Sequence, residues 1–403
     1  MYLSSKILVK KRALIGAALL GGTILLAGCG SSGGSTGAAG SVPKADPNKV
    51  YIEGVPSLAE LYKSTETSPP ATGPKIQPGK NIIFVSCGQS AQGCSGPANE
   101  MANAAKVVGW NYKIIDGANN VNNGWAAGLR QAIAAKPDAI VIHGMGCGDV
   151  KQPLLEAKAA GIPVVGLESV DCTDPKNDGG PSESLFTGVK FSDSATTTGA
   201  FFKEFGRLQA AYVIDATEGK AKIVRTTYDP LLGAYQKEGQ DEVFAKCPGC
   251  KVVGEVNWSA ADSNAGGPLV QKFRTLLVQH PDANAAIMNW DALATSSGLS
   301  KAIKDAGYAN SMIGVAGEGY AAALQLIREN GGLTAEPAAI DAKWLGWAGV
   351  DTLNRVLHGE QPVPEGVGFR LVDKDHNMMP DGQDYQTPVD YRGVYKKSWG
   401  VAD

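Results

Sequence analysis

From Lys80 onward the chain alternates short apolar runs with amphipathic stretches, and it does so twice over. The first run, Asn81-Ile82-Ile83-Phe84-Val85-Ser86, shows no polar alternation. A strand of that kind is buried on both faces, which a parallel sheet covered by helices on both sides provides. The pattern predicts strands over 81–86, 112–115, 138–143 and 163–168, with helices over 97–108, 123–136 and 150–160 between them. Each strand-plus-helix unit takes about 25–30 residues, the length of a βαβ step. A run at 184–190 and a long helical stretch at 195–215 close this series. The rhythm then restarts, with strands over 221–227, 251–256, 283–290 and 312–316 and helices over 232–245, 268–279, 292–306, 320–329 and 341–357. The expected fold class is α/β, two doubly wound Rossmann-like lobes whose ligands gather at the carboxyl ends of strands.

The chain has 403 residues, 43% hydrophobic and 19% charged, which is the balance of a globular protein with sizeable cores. A net charge of -3 gives nucleic acid or an anionic membrane surface no purchase. At the start, Lys6, Lys10, Lys11 and Arg12 precede an apolar run over 13–27. That run has the length of an export signal and falls short of the ~20 apolar residues a bilayer span needs. Its end, Leu26-Ala27-Gly28-Cys29, resembles the lipobox of bacterial lipoproteins. The resemblance implies a signal peptide over 1–28, cleavage before Cys29, and lipid on that cysteine. Residues 29–79 are then expected as anchor and flexible linker, with 30–50 as Gly/Ser-rich coil reaching roughly 25 Å. Within that segment, 55–63 has helical spacing and 68–78 is Pro-rich and extended. The expected location is the outer face of the cell membrane, with the body held there by lipid alone.

Six cysteines follow Cys29, an even number that in an exported chain indicates disulfides while leaving the pairing open. The expected bridges are Cys247–Cys250, Cys147–Cys172 and Cys87–Cys94. Cys247-Pro248-Gly249-Cys250 follows a helical stretch and precedes a strand, the reverse of a redox CxxC, so a structural bridge is expected.

Several phrases stand in one order: KPDAIVI at 136–142, EAKAAGIPVVGLES at 156–169, KEGQDEVF at 237–244, LLVQHPDANAAIMNWDALA at 276–294 and GVDTLNRVLHGEQP at 349–362. Together they resemble the type I periplasmic substrate-binding proteins, the ribose-binding-like group that serves ABC importers, over roughly residues 80–375. The resemblance implies two lobes joined by several crossing segments, one built from 80–192 and 341–367, the other from 193–340 and 368–403. It implies a sugar-like ligand in the cleft, and as partners the permease's transmembrane subunits with their ATPase. A monomer without cofactor or nucleic acid is expected.

Loops after strand ends supply the candidate ligand contacts. Gln89 and Ser90 follow the first strand, and Glu168 and Ser169 end the fourth, where sugar-binding relatives carry an Asp-Arg pair. Asp193 lies at the crossover, where it can equally cap the long helix. Tyr228 and Asp229 follow the strand at 221–227, and the arginine of the sugar binders gives way to Gly233-Ala234-Tyr235. Trp258 and Trp290 stand at strand ends as flat walls, Asp291 caps or binds, and Glu318 occupies about the place of a ligand-binding aspartate. Trp344 and Trp347, three apart on a helix, are expected in the core.

The four histidines have no zinc spacing, and no G-x-S-x-G elbow is present. Gly144-Met145-Gly146-Cys147-Gly148 lacks the lysine of a phosphate loop, and the acidic stretch at 373–384 lacks the EF-hand order. No metal site and no enzyme activity are expected. The function expected is capture of a small polar solute, a sugar or polyol, for an ABC importer. The alternatives are a sensor of the same fold and a binder of a flatter, more apolar solute.

Overall fold

The computed structural model describes residues 45–401 apart from 178, 179, 230 and 265. The signal segment, Cys29 and the Gly/Ser-rich stretch up to residue 44 lie outside the described residues. Among the described residues no helix is long and apolar enough to cross a membrane.

A short helix α1 (Leu58–Leu61) leads to the first sheet. Its strands are β1 (Asn81–Ser86), β2 (Asn111–Asp116), β3 (Ala139–His143), β4 (Val164–Leu167) and β5 (Thr187–Gly188). They lie in the order β2-β1-β3-β4-β5, all parallel. The apolar runs became the inner strands, with β3 buried throughout, whereas edge strand β2 alternates exposed and covered residues. Helices α2 (Gln92–Val107), α3 (Gly124–Ala134) and α4 (Cys147–Ala159) cover the faces. Helix α2 starts five residues before Pro97, which it contains, because the Cys87–Cys94 bridge fixes its first turn.

Helix α5 (Thr198–Ala216) opens the second lobe. Its cap is Thr197, whose hydroxyl accepts the Ala200 amide at 3.1 Å, so the capping role considered for Asp193 falls to another residue. The second sheet holds β6 (Lys222–Tyr228), β7 (Lys251–Trp258), β8 (Ala285–Ile287), β9 (Ile313–Val315), β10 (Ala335–Ala339) and β11 (Arg370–Asp373). Their order is β11-β10-β9-β8-β6-β7, with only β11 antiparallel. Helices α6 (Leu231–Phe244) and α7 (Pro268–Gln279) fall where the periodicity set them. The single helix expected over 292–306 is two, α8 (Asp291–Ala294) and α9 (Leu299–Asp305). Gly298 between them has φ +83°, a left-handed turn that restarts the helix in a new direction. Helix α10 (Ala321–Arg328) follows β9.

Strands β10 and β11 had no sequence signature. Ala335-Glu336-Pro337-Ala338-Ala339 contains a glutamate and a proline, yet it is an inner strand buried throughout. The register shifts between Glu336 and Ala339, and such a bulge accommodates the missing Pro337 amide.

Three segments cross between the lobes, near residues 190, 340 and 366. Two of them pair, with Glu365 N donating to Lys190 O at 2.9 Å and Val367 N to Phe191 O at 2.8 Å. Phe191, Phe201 and Phe369 stack beneath, with centroids 4.1 and 4.5 Å apart. After the second crossing, α11 (Ala342–Leu357) returns to the first lobe and packs on α2, with Gly346 against the Met101 backbone.

Two boundaries differ from expectation. Within the expected linker over 29–79, residues 45–79 are docked on the body. Val55, Leu58 and Leu61 are buried, and Tyr62 Oη donates to Asp373 Oδ2 at 2.5 Å on the second lobe. Thr65 N and Thr67 N donate to Phe369 O and Gly366 O at the crossing. Beyond that point the segment binds the first lobe, where Trp110 Nε1 reaches Gln77 O at 2.9 Å and Asn354 Nδ2 reaches Pro74 O at 2.6 Å. The tail also divides. Strand β11 joins the second sheet, while α12 (Tyr391–Trp399) stacks Tyr391 and Trp399 on the buried Trp344 and Trp347 of α11 in the first lobe.

Candidate ligand-binding cleft

In both sheets the strand order reverses at one place, between β1 and β3 in the first and between β6 and β8 in the second. Chain connections leave in opposite directions there, which opens a crevice at the carboxyl ends of the strands. The two crevices face one another across a cavity of about 130 Å³ in which the centres of water molecules fit.

The second lobe supplies an aromatic wall. Tyr228 ends β6, Trp258 ends β7, and Trp290 stands just before α8. Their ring centroids lie 4.6, 4.9 and 5.6 Å apart, and Phe202 meets Trp290 edge-on at 6.3 Å. A buried polar network fixes this wall from behind. Trp258 Nε1 donates to Asn289 Oδ1 at 2.8 Å, and Asn289 Nδ2 donates to Gln236 Oε1 at 2.6 Å. Gln236 Nε2 donates to Asn289 O at 2.9 Å and to Gln209 Oε1 at 3.1 Å. Gln209 in turn reaches the carbonyls of Met288 and Ala316. Trp290 Nε1 has no hydrogen-bond partner among the described residues and is free to donate.

The first lobe faces it with Cys87 and Cys94, Asn119, Trp125 and His143. Trp125 Nε1 donates to Cys87 O at 2.8 Å, and the adjacent disulfide locks that loop. Asn119 lies in a run of left-handed residues, Ala118, Asn119, Asn120, Asn122 and Asn123, with φ between 51° and 60°. Asparagine tolerates that region better than other non-glycine residues, so the Asn-rich sequence permits the tight coil.

Two glutamates complete the lining, Glu168 after β4 and Glu318 after β9. Both have positive φ, 47° and 133°, a strain that surrounding structure must impose. Glu168 Oε2 lies 2.8 Å from His143 Nε2. Glu318 Oε2 accepts the Asp291 amide at 3.1 Å. Asp291 is buried, with its carboxylate accepting the Tyr320 amide at 2.7 Å and the Gly317 amide at 3.3 Å. Burial raises the Glu318 carboxyl well above its ordinary range, and the nearby Asp291 and Glu168 charges raise it further. Burial likewise pushes Asp291 up to about 7, and burial, with the Asp291 charge beside it, also raises Glu336. No lysine or arginine lines the cavity among the described residues.

Residues 82–361, well over half of the chain, match the sequence profile of the periplasmic binding protein domain. The chain belongs to this family. Among curated proteins no relative matches. Solved structures of this family's fold superpose well. The periplasmic binding protein of an arabinose ABC transporter from Shewanella sp. ANA-3, bound to L-arabinofuranose, is 20% identical with TM-score 0.60, covering 79% of this chain and 95% of its own. A Mycobacterium smegmatis protein in complex with β-D-fucofuranose is 22% identical with TM-score 0.56, covering 73% and 92%. An ABC transporter solute-binding protein from Agrobacterium vitis bound with α-D-tagatopyranose is 20% identical with TM-score 0.61, covering 75% and 97%. At these identities the likeness establishes the two-lobed fold.

Periplasmic binding proteins close two lobes over a solute, and this chain stands closed. Across the rim, Tyr235 Oη donates to Asp174, with the carboxylate oxygens at 2.6 and 2.8 Å. Lys176 pairs with Glu238 and lies 4.7 Å over the Tyr235 ring. Of the sequence candidates, Glu168, Tyr228, Trp258, Trp290 and Glu318 line the cavity. Six others lie outside the lining. Gln89 sits in the neighbouring loop with its backbone N–H donating to Asp116 Oδ1, and Ser90 is exposed beside Asn119. Ser169 is buried and bonds backbone groups at 145 and 167. Asp193 and Asp229 are exposed, and Asp291 serves the 317–320 loop. The expected bridges Cys87–Cys94, Cys147–Cys172 and Cys247–Cys250 are all formed.

Asn119, Trp125, His143, Phe202 and Phe205 were missed. His143 had a signal, since it ends β3 at the switch point. Phe202 and Phe205 had none, because two aromatics three apart on a helix read as core. Among the described residues no cluster of side chains is arranged to hold a metal.

Proposed function

We propose that this protein is a lipid-anchored, extracytoplasmic solute-binding protein that captures a sugar or polyol between its lobes and delivers it to an ABC permease. One observation carries the reading: an aromatic-walled cavity lies at the switch points of both sheets, beneath rim contacts that only the closed form makes. Aromatic rings suit the C–H faces of a sugar, and the sugar-bound solved structures share the fold. A solute touching both walls binds the closed state alone and shifts the lobes toward it. The permease then recognises the closed form. No bond is made or broken. Cys29 would hold the body near that permease, with the Gly/Ser-rich residues that follow it as tether.

The test is a thermal-shift screen of the full-length protein in detergent against sugars, polyols, amino sugars, amino acids and aromatic acids. A solute at 100 times its dissociation constant adds about 2.7 kcal/mol, enough to move the melt by several degrees. In cells, Cys29→Ala should leave solute affinity unchanged and impair uptake. A melt that no polyhydroxylated compound moves refutes the assignment of solute class.

A further inference from the structure

We propose that the solute carries a cationic nitrogen, as in an amino sugar or amino polyol, held between Glu168 and Glu318 against the Tyr228–Trp258–Trp290 wall. This rests on the reading above and narrows its ligand class.

Charge balance is the first ground. Four carboxyl groups meet at or directly behind the cavity: Glu168 and Glu318 in its lining, with Asp291 and Glu336 packed behind Glu318. The one basic side chain in the lining is His143, and it is engaged with Glu168. Neither lysine nor arginine answers the remaining carboxyls among the described lining residues. Buried carboxyls without a counter-charge are costly unless protonated or met by a cation.

Hydrogen-bond capacity is the second. Glu168 is 9% exposed, and only its Oε2 is engaged among the described residues. Glu318 likewise engages only Oε2. Each therefore keeps an Oε1 with no hydrogen-bond partner among the described residues, and both residues line the cavity. The residue facing Glu318 Oε1 from α2 is Gly93, where any Cβ would stand 2.5 Å from that oxygen. A glycine there leaves the carboxylate uncovered by a side chain. Carboxylates only accept, and of the lining side-chain donors Asn119, Trp125, Trp258, Ser263 and the His143 ring already engage protein partners, which leaves the Tyr228 hydroxyl and the Trp290 indole without one among the described residues. A neutral sugar brings hydroxyls that must both donate and accept, whereas an ammonium brings donors alone and suits an acceptor-rich site.

The third ground is the wall itself. Three aromatic rings converge on the same space, and ring faces attract cations, most strongly where water is excluded. Both glutamates line this space from strained backbone angles. A neutral solute would meet the rings through C–H contacts alone and bring no charge to balance the carboxylates.

The experiment compares matched pairs by isothermal titration of the full-length protein in detergent at pH 6.5. The pairs are galactose with galactosamine and sorbitol with 1-amino-1-deoxysorbitol; choline and benzoate complete the set. At least one amine should bind tenfold or more tightly than its neutral twin. Glu318→Gln and Glu168→Gln, each checked for an unchanged melt, should erase most of the amine's advantage over its neutral twin, and a preference that survives both overturns the charge assignment. Equal or tighter binding of the neutral sugars overturns the charge assignment and leaves the sugar reading intact. Binding of choline or benzoate alone overturns the amino-sugar class. Binding of none overturns both readings.

Discussion

Tyr235→Phe removes one oxygen from the rim and tests whether closure is driven by contacts between the lobes. That hydroxyl spans the cleft, from α6 of the second lobe to Asp174 of the first, at 2.6 and 2.8 Å. A hydrogen bond to a charged acceptor contributes about 1.5–3 kcal/mol, and partial exposure of this pair places it near the lower figure. A loss of about 1.4 kcal/mol is tenfold in the open–closed equilibrium. If the unliganded protein is mostly open, apparent affinity falls by about that factor, because only the closed fraction binds tightly. If it is mostly closed, affinity falls less and the unliganded lobes open instead. The assay is therefore paired: titration with the tightest solute from the screen, and small-angle scattering of the unliganded variant. The phenyl ring keeps the packing under Lys176, so the melt should change little. An unchanged affinity together with an unchanged scattering radius would refute rim-driven closure.

Two further predictions concern stability. Gln236→Leu should unpair Asn289 and weaken support for Trp258, at about 1–3 kcal/mol for each buried group left without a partner. The melting temperature should drop by several degrees and solute affinity should fall with it; an unchanged melt would show that the network is dispensable. Asp215 on α5 is buried, which pushes its carboxyl up to about 7 from an unfolded value near ~3.9. Between those values the folded state binds the extra proton, so its contribution to stability is full at low pH and is lost as pH rises through about 7. Asp215→Asn should therefore raise the melting temperature more at pH 8 than at pH 5, and an equal effect at both would discount the titration.

Much of the architecture was legible because buried parallel strands have a local signature. The apolar runs at β1, β3 and β4 and the helices between them follow from periodicity alone. The three disulfides also join the cysteine pairs expected from the sequence. Strands β10 and β11 were illegible because their identity lies in their neighbours. A buried Glu336 and a bulge at Pro337 are tolerated only within the finished sheet. The docking of residues 45–79 was hidden for a similar reason, since its hydrogen bonds run to carbonyls and side chains about 30–300 positions away.

For the cleft, the rule that ligands gather at strand ends found Tyr228, Trp258, Trp290, Glu168 and Glu318. The same rule also nominated Gln89, Ser169 and Asp291, which turn to backbone groups or stand beside the cavity. Position along a strand is a local property, and it was enough to choose the loops. Side-chain direction and charge balance depend on what the other lobe brings. The sequence by itself determined two doubly wound lobes and the loops that edge their cleft. Only the tertiary structure decided that two strained glutamates and three aromatic rings would share one cavity without a counter-cation. Burial and electrostatics are sums over all neighbours, and those neighbours come from both lobes.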